Sequence, residues 1–209
     1  MDENSGRKRI KRTDYSILFI ILFIFFNRVD ATPQVYSDKI IVDNFENPGK
    51  KNLLGGDFGA FGDEKNLGRC HLFFVENRQK DSLSENRYSL YIQWDTTKTG
   101  AYGGYWTDLK HLHLENFNYL TLFLRGIKGG EIFKVGLRGK LNATYEDKIP
   151  INEVLSKGVT TEWQKVILPL KQFRAIQDWR DVNILSFNFE NAFGSDKGAL
   201  LIDDIIFEK

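Results

Sequence analysis

In the last apolar run of the chain, Leu201-Ile202-Asp203-Asp204-Ile205, strict alternation puts Asp203 on the side of Leu201, Ile205 and Phe207. A half-buried strand turns that side to the core. A carboxylate buried there without a partner costs several kcal/mol, so Asp203 has to be paired, hydrogen-bonded or bound to a metal. Calcium takes roughly six to eight hard oxygen ligands and suits Asp and Glu supplemented by backbone carbonyls. A backbone hydrogen bond at the end of the strand would serve without an ion. A second acidic segment, Val42-Asp43-Asn44-Phe45-Glu46, stands near the start of the chain. Asp203 and Asp204 are adjacent and point to opposite faces of a strand. They cannot form a glycosidase pair, which needs carboxyls about 5 to 9.5 Å apart across a bound sugar. His111 and His113 share a strand face and could hold a transition metal, with His71 the remaining imidazole. Cys70 reads as a small buried apolar residue. The Gly-x-Ser-x-Gly elbow, the His-Glu-x-x-His motif, the phosphate-binding loop and the dinucleotide fingerprint are all missing.

The elements that must carry these residues are strands. Ser89 to Asp95 sets Leu90, Ile92 and Trp94 against Tyr91, Gln93 and Asp95, and Tyr119 to Arg125 sets Leu120, Leu122 and Leu124 against Thr121, Phe123 and Arg125. Ile132 to Arg138 divides Phe133, Val135 and Leu137 from Lys134, Gly136 and Arg138. Ile184 to Glu190 divides Leu185, Phe187 and Phe189 from Ser186, Asn188 and Glu190. This is the period of half-buried strands. Further strands are expected at Lys39 to Phe45, Cys70 to Glu76, Tyr105 to Leu109, Trp163 to Leu170 and Leu200 to Phe207. Helical pieces are expected only around Asn152 to Ser156 and Lys171 to Asp181. Short strands with no long helix exclude βαβ classes and leave an antiparallel sandwich or barrel.

The chain has 209 residues, with 29 basic against 28 acidic and a single Cys. Near-neutral charge gives no electrostatic footprint for nucleic acid, and one Cys excludes an internal disulfide framework. Residues 1–31 join a basic segment (Arg7 to Arg12), the apolar run Tyr15 to Phe26 and the small-residue end Val29-Asp30-Ala31. That order is the build of a secretory signal peptide. The twelve residues of this run span about 18 Å as a helix, short of the roughly 30 Å hydrocarbon core, so cleavage is expected rather than a stable membrane anchor. The mature domain would be 32–209, with 23 basic and 24 acidic residues. It would be secreted or held in the periplasm or cell envelope.

Four segments taken together carry a resemblance: Asp43-Asn44-Phe45-Glu46-Asn47, Asn52 to Gly56 (NLLGG), Thr161 to Leu170 (TEWQKVILPL) and Gly198 to Glu208 (GALLIDDIIFE). In order and spacing the chain resembles the galactose-binding-like β-jelly-roll superfamily, nearest to carbohydrate-binding modules of family 11 and to the domain of complex I intermediate-associated proteins. The resemblance implies an all-β antiparallel sandwich of the jelly-roll type, without catalysis. It implies a structural calcium joining Glu46 to Asp203, with Asp43 a third candidate. It also implies a groove for a polysaccharide or glycan on the concave face of one sheet. Such a groove needs aromatic platforms for the C–H faces of sugars, interleaved with planar hydrogen-bonding groups. Tyr91, Gln93, Arg138 and Asn188 from the polar strand faces fit that need, as do Tyr102 and Tyr105 beside the Gly-rich stretch, and Tyr145 beyond Arg138. The other member of the resemblance implies a different function, a module that holds a protein partner during assembly.

Overall fold

In a computed structural model the protein is described at residues 35–36, 38–76, 87–139 and 146–209. The described strands are β1 (Val35–Tyr36), β2 (Lys39–Asp43), β3 (Phe58–Gly62), β4 (Arg69–Glu76), β5 (Tyr88–Asp95), β6 (Tyr102–Leu112), β7 (Tyr119–Gly126), β8 (Lys134–Gly139), β9 (Asp147–Pro150), β10 (Gln164–Pro169), β11 (Val182–Glu190) and β12 (Lys197–Glu208). They lie within the compact unit Ala31–Lys209. The expected signal segment and Tyr145 fall outside the described residues.

All pairings are antiparallel and form two sheets. The seven-stranded sheet is built on β12, which pairs with β7 along most of its length, and β10 lies beyond β7. On its other side β12 pairs first with β5 and then, past a bulge, with β2. The five-stranded sheet has the order β3-β6-β11-β8-β9. The alternation in the sequence sorts as expected: Leu90, Ile92, Leu120, Leu122 and Leu124 of one sheet and Val135, Leu137, Leu185, Phe187 and Phe189 of the other are all fully buried. Trp94 and Phe189 stack across the gap with ring centroids 3.9 Å apart and planes 8° from parallel. Phe133 packs edge-on against Phe187 at 5.3 Å. This is the inter-sheet core of a β-sandwich, and the fold is the expected jelly roll.

The NLLGG segment has a mechanical job. Asn52 is buried, its amide donating to Thr107 Oγ1 at 2.7 Å and to the Asp108 carbonyl at 2.8 Å. Its oxygen accepts from the Leu54 and Gly56 amides. A β-carbon on Gly56 would lie 2.0 Å from the Asp108 oxygen, so the turn can seat against β6 only with glycine there.

Two expectations are corrected. Strict alternation fails in β12, because the register slips between Asp203 and Ile205 and Asp204 takes a φ of 42°. Leu200 and Ile202 face the core before this bulge, and Ile205 and Phe207 after it. Asp203 instead pairs with half-buried Phe123, on the side away from the core. A bulge inserts one residue, and one residue inverts parity. The segment Lys171 to Asp181 holds only one 3-10 turn, Leu170–Gln172, and Asn152 to Ser156 only the end of another, Ile151–Glu153. No helix among the described residues is long and apolar enough to cross a membrane.

Candidate functional site

The outer face of the five-stranded sheet concentrates the unusual side chains. β6 begins at Tyr102, three residues before the expected start, and its parity turns Tyr105 and Leu109 inward and Tyr102 and Trp106 outward. Register then sets the neighbours: Trp106 lies between Gly59 of β3 and Ser186 of β11, and Phe61 of β3 pairs with Gly104. On the far side of β11, Ser186 faces Gly136 and Asn188 faces Lys134. β9 brings Lys148 opposite Gly136. One end of the face is thus aromatic, with Phe61 and Tyr102 rings 6.5 Å apart, and the other is charged.

The polar groups form one connected chain. Asn188 donates to Ser186 Oγ at 2.6 Å, and Ser186 donates in turn to Glu146 Oε1. Lys148 stands between the two acids, 3.5 Å from Glu146 and 3.2 Å from Glu190, and Lys134 donates to Glu190 at 2.7 Å. A β-carbon on Gly136 would lie 2.5 Å from the Glu146 carboxyl carbon and 2.6 Å from Ser186 Oγ. The missing side chain is what lets these two groups meet. Burial alone would raise the Glu190 carboxyl, but the hydrogen bond from Lys134 and the charge of Lys148 outweigh it and hold it below its ordinary range. Arg138 lines the same face, and its buried Nε has no hydrogen-bond partner among the described residues.

These side chains border two depressions that follow one another along β11. The larger, about 400 Å³, lies between Phe61, Trp106, Arg138, Glu146, Ile184 and Ser186. The second, about 250 Å³, is bordered by Tyr102, Asn188, Glu190 and Lys148. A trough with aromatic rings on one wall and fixed donors and acceptors on the other complements a sugar chain, which has apolar ring faces and equatorial hydroxyls.

The structure gathers three of the expected sugar-binding residues here: Tyr102, 47% exposed, Arg138 and Asn188. Tyr145 lies outside the described residues, and the structure does not bring Tyr91, Gln93 or Tyr105 here. Tyr105 is 0% exposed and packs on Phe187 at 5.5 Å, because it shares strand parity with inward Leu109. Tyr91 and Gln93 belong to β5 of the other sheet, where Tyr91 stands 6.2 Å from Phe73 and faces away from the trough. Alternation tells which residues of a strand share a face but not which sheet the strand joins. Trp106, Phe61, Ser186, Glu146 and Lys148 were missed. Trp106 was legible, since Leu109 sets the inward parity of β6; Phe61 was hidden in a Gly-flanked strand too short to show a period.

The expected calcium ligands meet a different environment. Asp43 is 5% exposed, accepts from the Phe45 amide at 3.0 Å, and burial pushes its carboxyl up to about 6. Asp203 is 2% exposed and accepts from the Asp204 amide. Glu46 accepts from the Tyr88 amide at 2.8 Å. These are hard-oxygen donors of the right kind, but among the described residues no three Asp, Glu, His or Cys side chains are gathered as a metal shell. His111 pairs with Asp181 at 2.6 Å and His113 contacts Glu115. Burial pushes the Cys70 thiol up to about 12, as befits an inert core residue.

Fold and trough together define a sugar-binding β-sandwich. The model of the family carbohydrate binding domain 30 matches residues 59–209, and the chain belongs to that family. Carbohydrate binding without catalysis is the function of this module, and the match favours it over the assembly alternative. Among solved structures, the chain is similar to a family 11 carbohydrate-binding module from Clostridium thermocellum, in complex with a β-1,3-1,4-mixed-linked tetrasaccharide. It is 13% identical over 82% of this chain and 95% of that one, at a TM-score of 0.60. It is also similar to a family 30 module at 21% identity, covering 66% and 73%, with a TM-score of 0.53. A family 30 module of a cellulosomal cellulase of Clostridium thermocellum matches at 18% identity, covering 72% and 98%, with a TM-score of 0.50. The expected nearness to family 11 is therefore one of fold, and the family is 30. No curated protein matches significantly.

Proposed function

We propose that the trough holds an internal stretch of a β-linked glucan, with rings stacked on Trp106, Phe61 and Tyr102 and hydroxyls bonded to Arg138, Asn188 and Glu146. The observation that carries this reading is the placing of three aromatic side chains beside a hydrogen-bonded polar chain on one sheet face. The β-1,3-1,4-mixed-linked tetrasaccharide in complex with the similar family 11 module supports the choice of a β-linked chain. Glu190, ionised and held by two lysines, suits accepting hydroxyl protons in hydrogen bonds and is unsuited to a general acid, whose pKa must be raised. Calorimetric titration of the protein with a mixed-linked β-1,3-1,4 tetrasaccharide tests the proposal. Saturable heat supports it, and no heat with glucan, xylan or mannan oligosaccharides overturns it.

Two further parts of the reading follow from the sequence. Residues 1–31 act as an export signal, supported by their basic, apolar and small-residue order. Mass spectrometry of the native protein should find its N-terminus at or near Thr32, and an intact Met1 would refute cleavage. A calcium ion joins Glu46 to Asp203, with Asp43 a third ligand and backbone carbonyls completing the shell, a reading supported by the burial of the Asp43 and Asp203 carboxylates. At 100 times its dissociation constant it would stabilise the fold by about 2.7 kcal/mol. Equal melting temperatures in calcium and in chelator would remove it.

A further inference from the structure

A cavity of about 330 Å³ lies at one end of the sandwich and shares no lining residue with the trough. The connection between β6 and β7 forms one wall, and the turn after β10 forms another. Its aromatic walls are Trp179, Phe117 and Tyr119, and Asn118, Glu115 and Lys171 stand around them.

The backbone of this corner is already satisfied, which holds the walls in place. Leu114 N–H donates to the Trp179 carbonyl at 2.6 Å, Leu170 N–H to the Asn118 carbonyl at 2.8 Å, and Asn118 N–H to the Glu208 carbonyl at 2.9 Å. The side chains are a different matter. The Asn118 amide and the Lys171 ammonium are exposed and make no hydrogen bond or ion pair among the described residues. Glu115 is met by His113 at 3.2 Å and by the charge of Arg180. Three rings thus meet an exposed amide and ammonium without partners among the described residues, with a surface carboxylate beside them.

We propose that this cavity is a second carbohydrate site, taking one or two pyranose units. An apolar ligand would stack on the rings and leave the three polar groups unused, and a simple ion would leave the rings unused. A sugar answers both, with apolar C–H faces for Trp179 and Tyr119 and hydroxyls that donate to Glu115 and accept from Lys171 and Asn118. The volume lies at the small end of the roughly 300–1,000 Å³ range of ligand pockets, which limits it to a short piece of chain. Because the cavity and the trough are separate, one module can engage two polysaccharide strands at once and bridge them. The assignment rests on the carbohydrate reading of the family.

The experiment follows the indole N–H signals of Trp106 and Trp179, assigned by Trp→Phe variants, as the mixed-linked tetrasaccharide is added to the whole protein. Both signals should move, along two separate titration curves. Tyr119→Ala should weaken the second curve about tenfold, the order expected for losing one stacked ring, and Lys171→Ala should weaken it as well. Neither change should affect the Trp106 curve. Tyr119 is 40% exposed and Lys171 is exposed, so both variants keep the fold and the Trp179 reporter. A Trp179 signal that stays still while Trp106 saturates would overturn the second site and leave the trough standing. The reverse pattern would sink the trough and keep the cavity. Two still signals with glucan, xylan and mannan oligosaccharides would overturn both.

Discussion

Both outer faces of the sandwich carry aromatic residues, yet they differ in what stands beside the rings. On the seven-stranded sheet His71, Phe73 and Tyr91 form a ladder with centroids 6.5 and 6.2 Å apart, and Phe73 is 51% exposed. On the five-stranded sheet Trp106 is less exposed, but it borders a linked series of donors and acceptors that Gly136 allows to close up. The acidic clusters differ in the same way. Glu208 of the seven-stranded sheet binds Lys39, Thr121 and Lys165, tying β12 to β2, β7 and β10. Glu190 binds Lys134 and Lys148, and Lys148 lines the trough. Exposure of a ring is therefore a poor marker of a site, and its company is a better one. A ring next to fixed polar groups can hold a sugar, and a ring among other rings covers a sheet.

The sharpest test of this contrast is Trp106→Ala. It should weaken glucan binding by about 2 kcal/mol or more, the scale of a central anchor residue. Calorimetry on the folded variant checks it, and an unchanged affinity would break the comparison at its strongest point. Arg138→Ala and Asn188→Ala should each cost about 1 to 3 kcal/mol of binding, through lost or stranded hydrogen bonds. Gly136→Ala isolates the role of the missing side chain: by forcing Glu146 from Ser186 it should cost about 1 kcal/mol of affinity, one hydrogen bond's worth. Retained affinity would show that the polar chain need not be closed.

Acid should act on the two clusters differently. Burial by itself would raise Glu208, but hydrogen bonds from Lys39 and Thr121 and the charge of Lys165 hold it at about 2. Its folded pKa lies below the ordinary 4.5, so it contributes stability above that value, which is lost as pH falls through about 2. The melting temperature should fall across that window, and Glu208→Gln should flatten the fall. The smallest expected effects are those of Phe73→Ala, Tyr91→Ala and Gln93→Ala on the other face, within about 0.5 kcal/mol for binding. A larger loss at any of the three would restore that face as a binding surface.

The sequence by itself determined the all-β class, the strand parities of β5, β7, β8 and β11 and the neutral, single-Cys character of the chain. Each follows from local alternation or from composition, which need no partner strand to be read. It also placed Arg138 and Asn188 on polar strand faces, because their neighbours Leu137, Phe187 and Phe189 are unmistakably inward. The tertiary structure alone decided that β5 and β8 belong to opposite sheets, which removed Tyr91 and Gln93 from the company of Arg138. It decided the bulge at Asp204, which turned Asp203 to the other side of β12, and it brought Phe61, Glu146 and Lys148 from distant segments onto the trough. Sheet membership and register depend on which strands find one another across the core, and a strand's own residues carry no record of that choice.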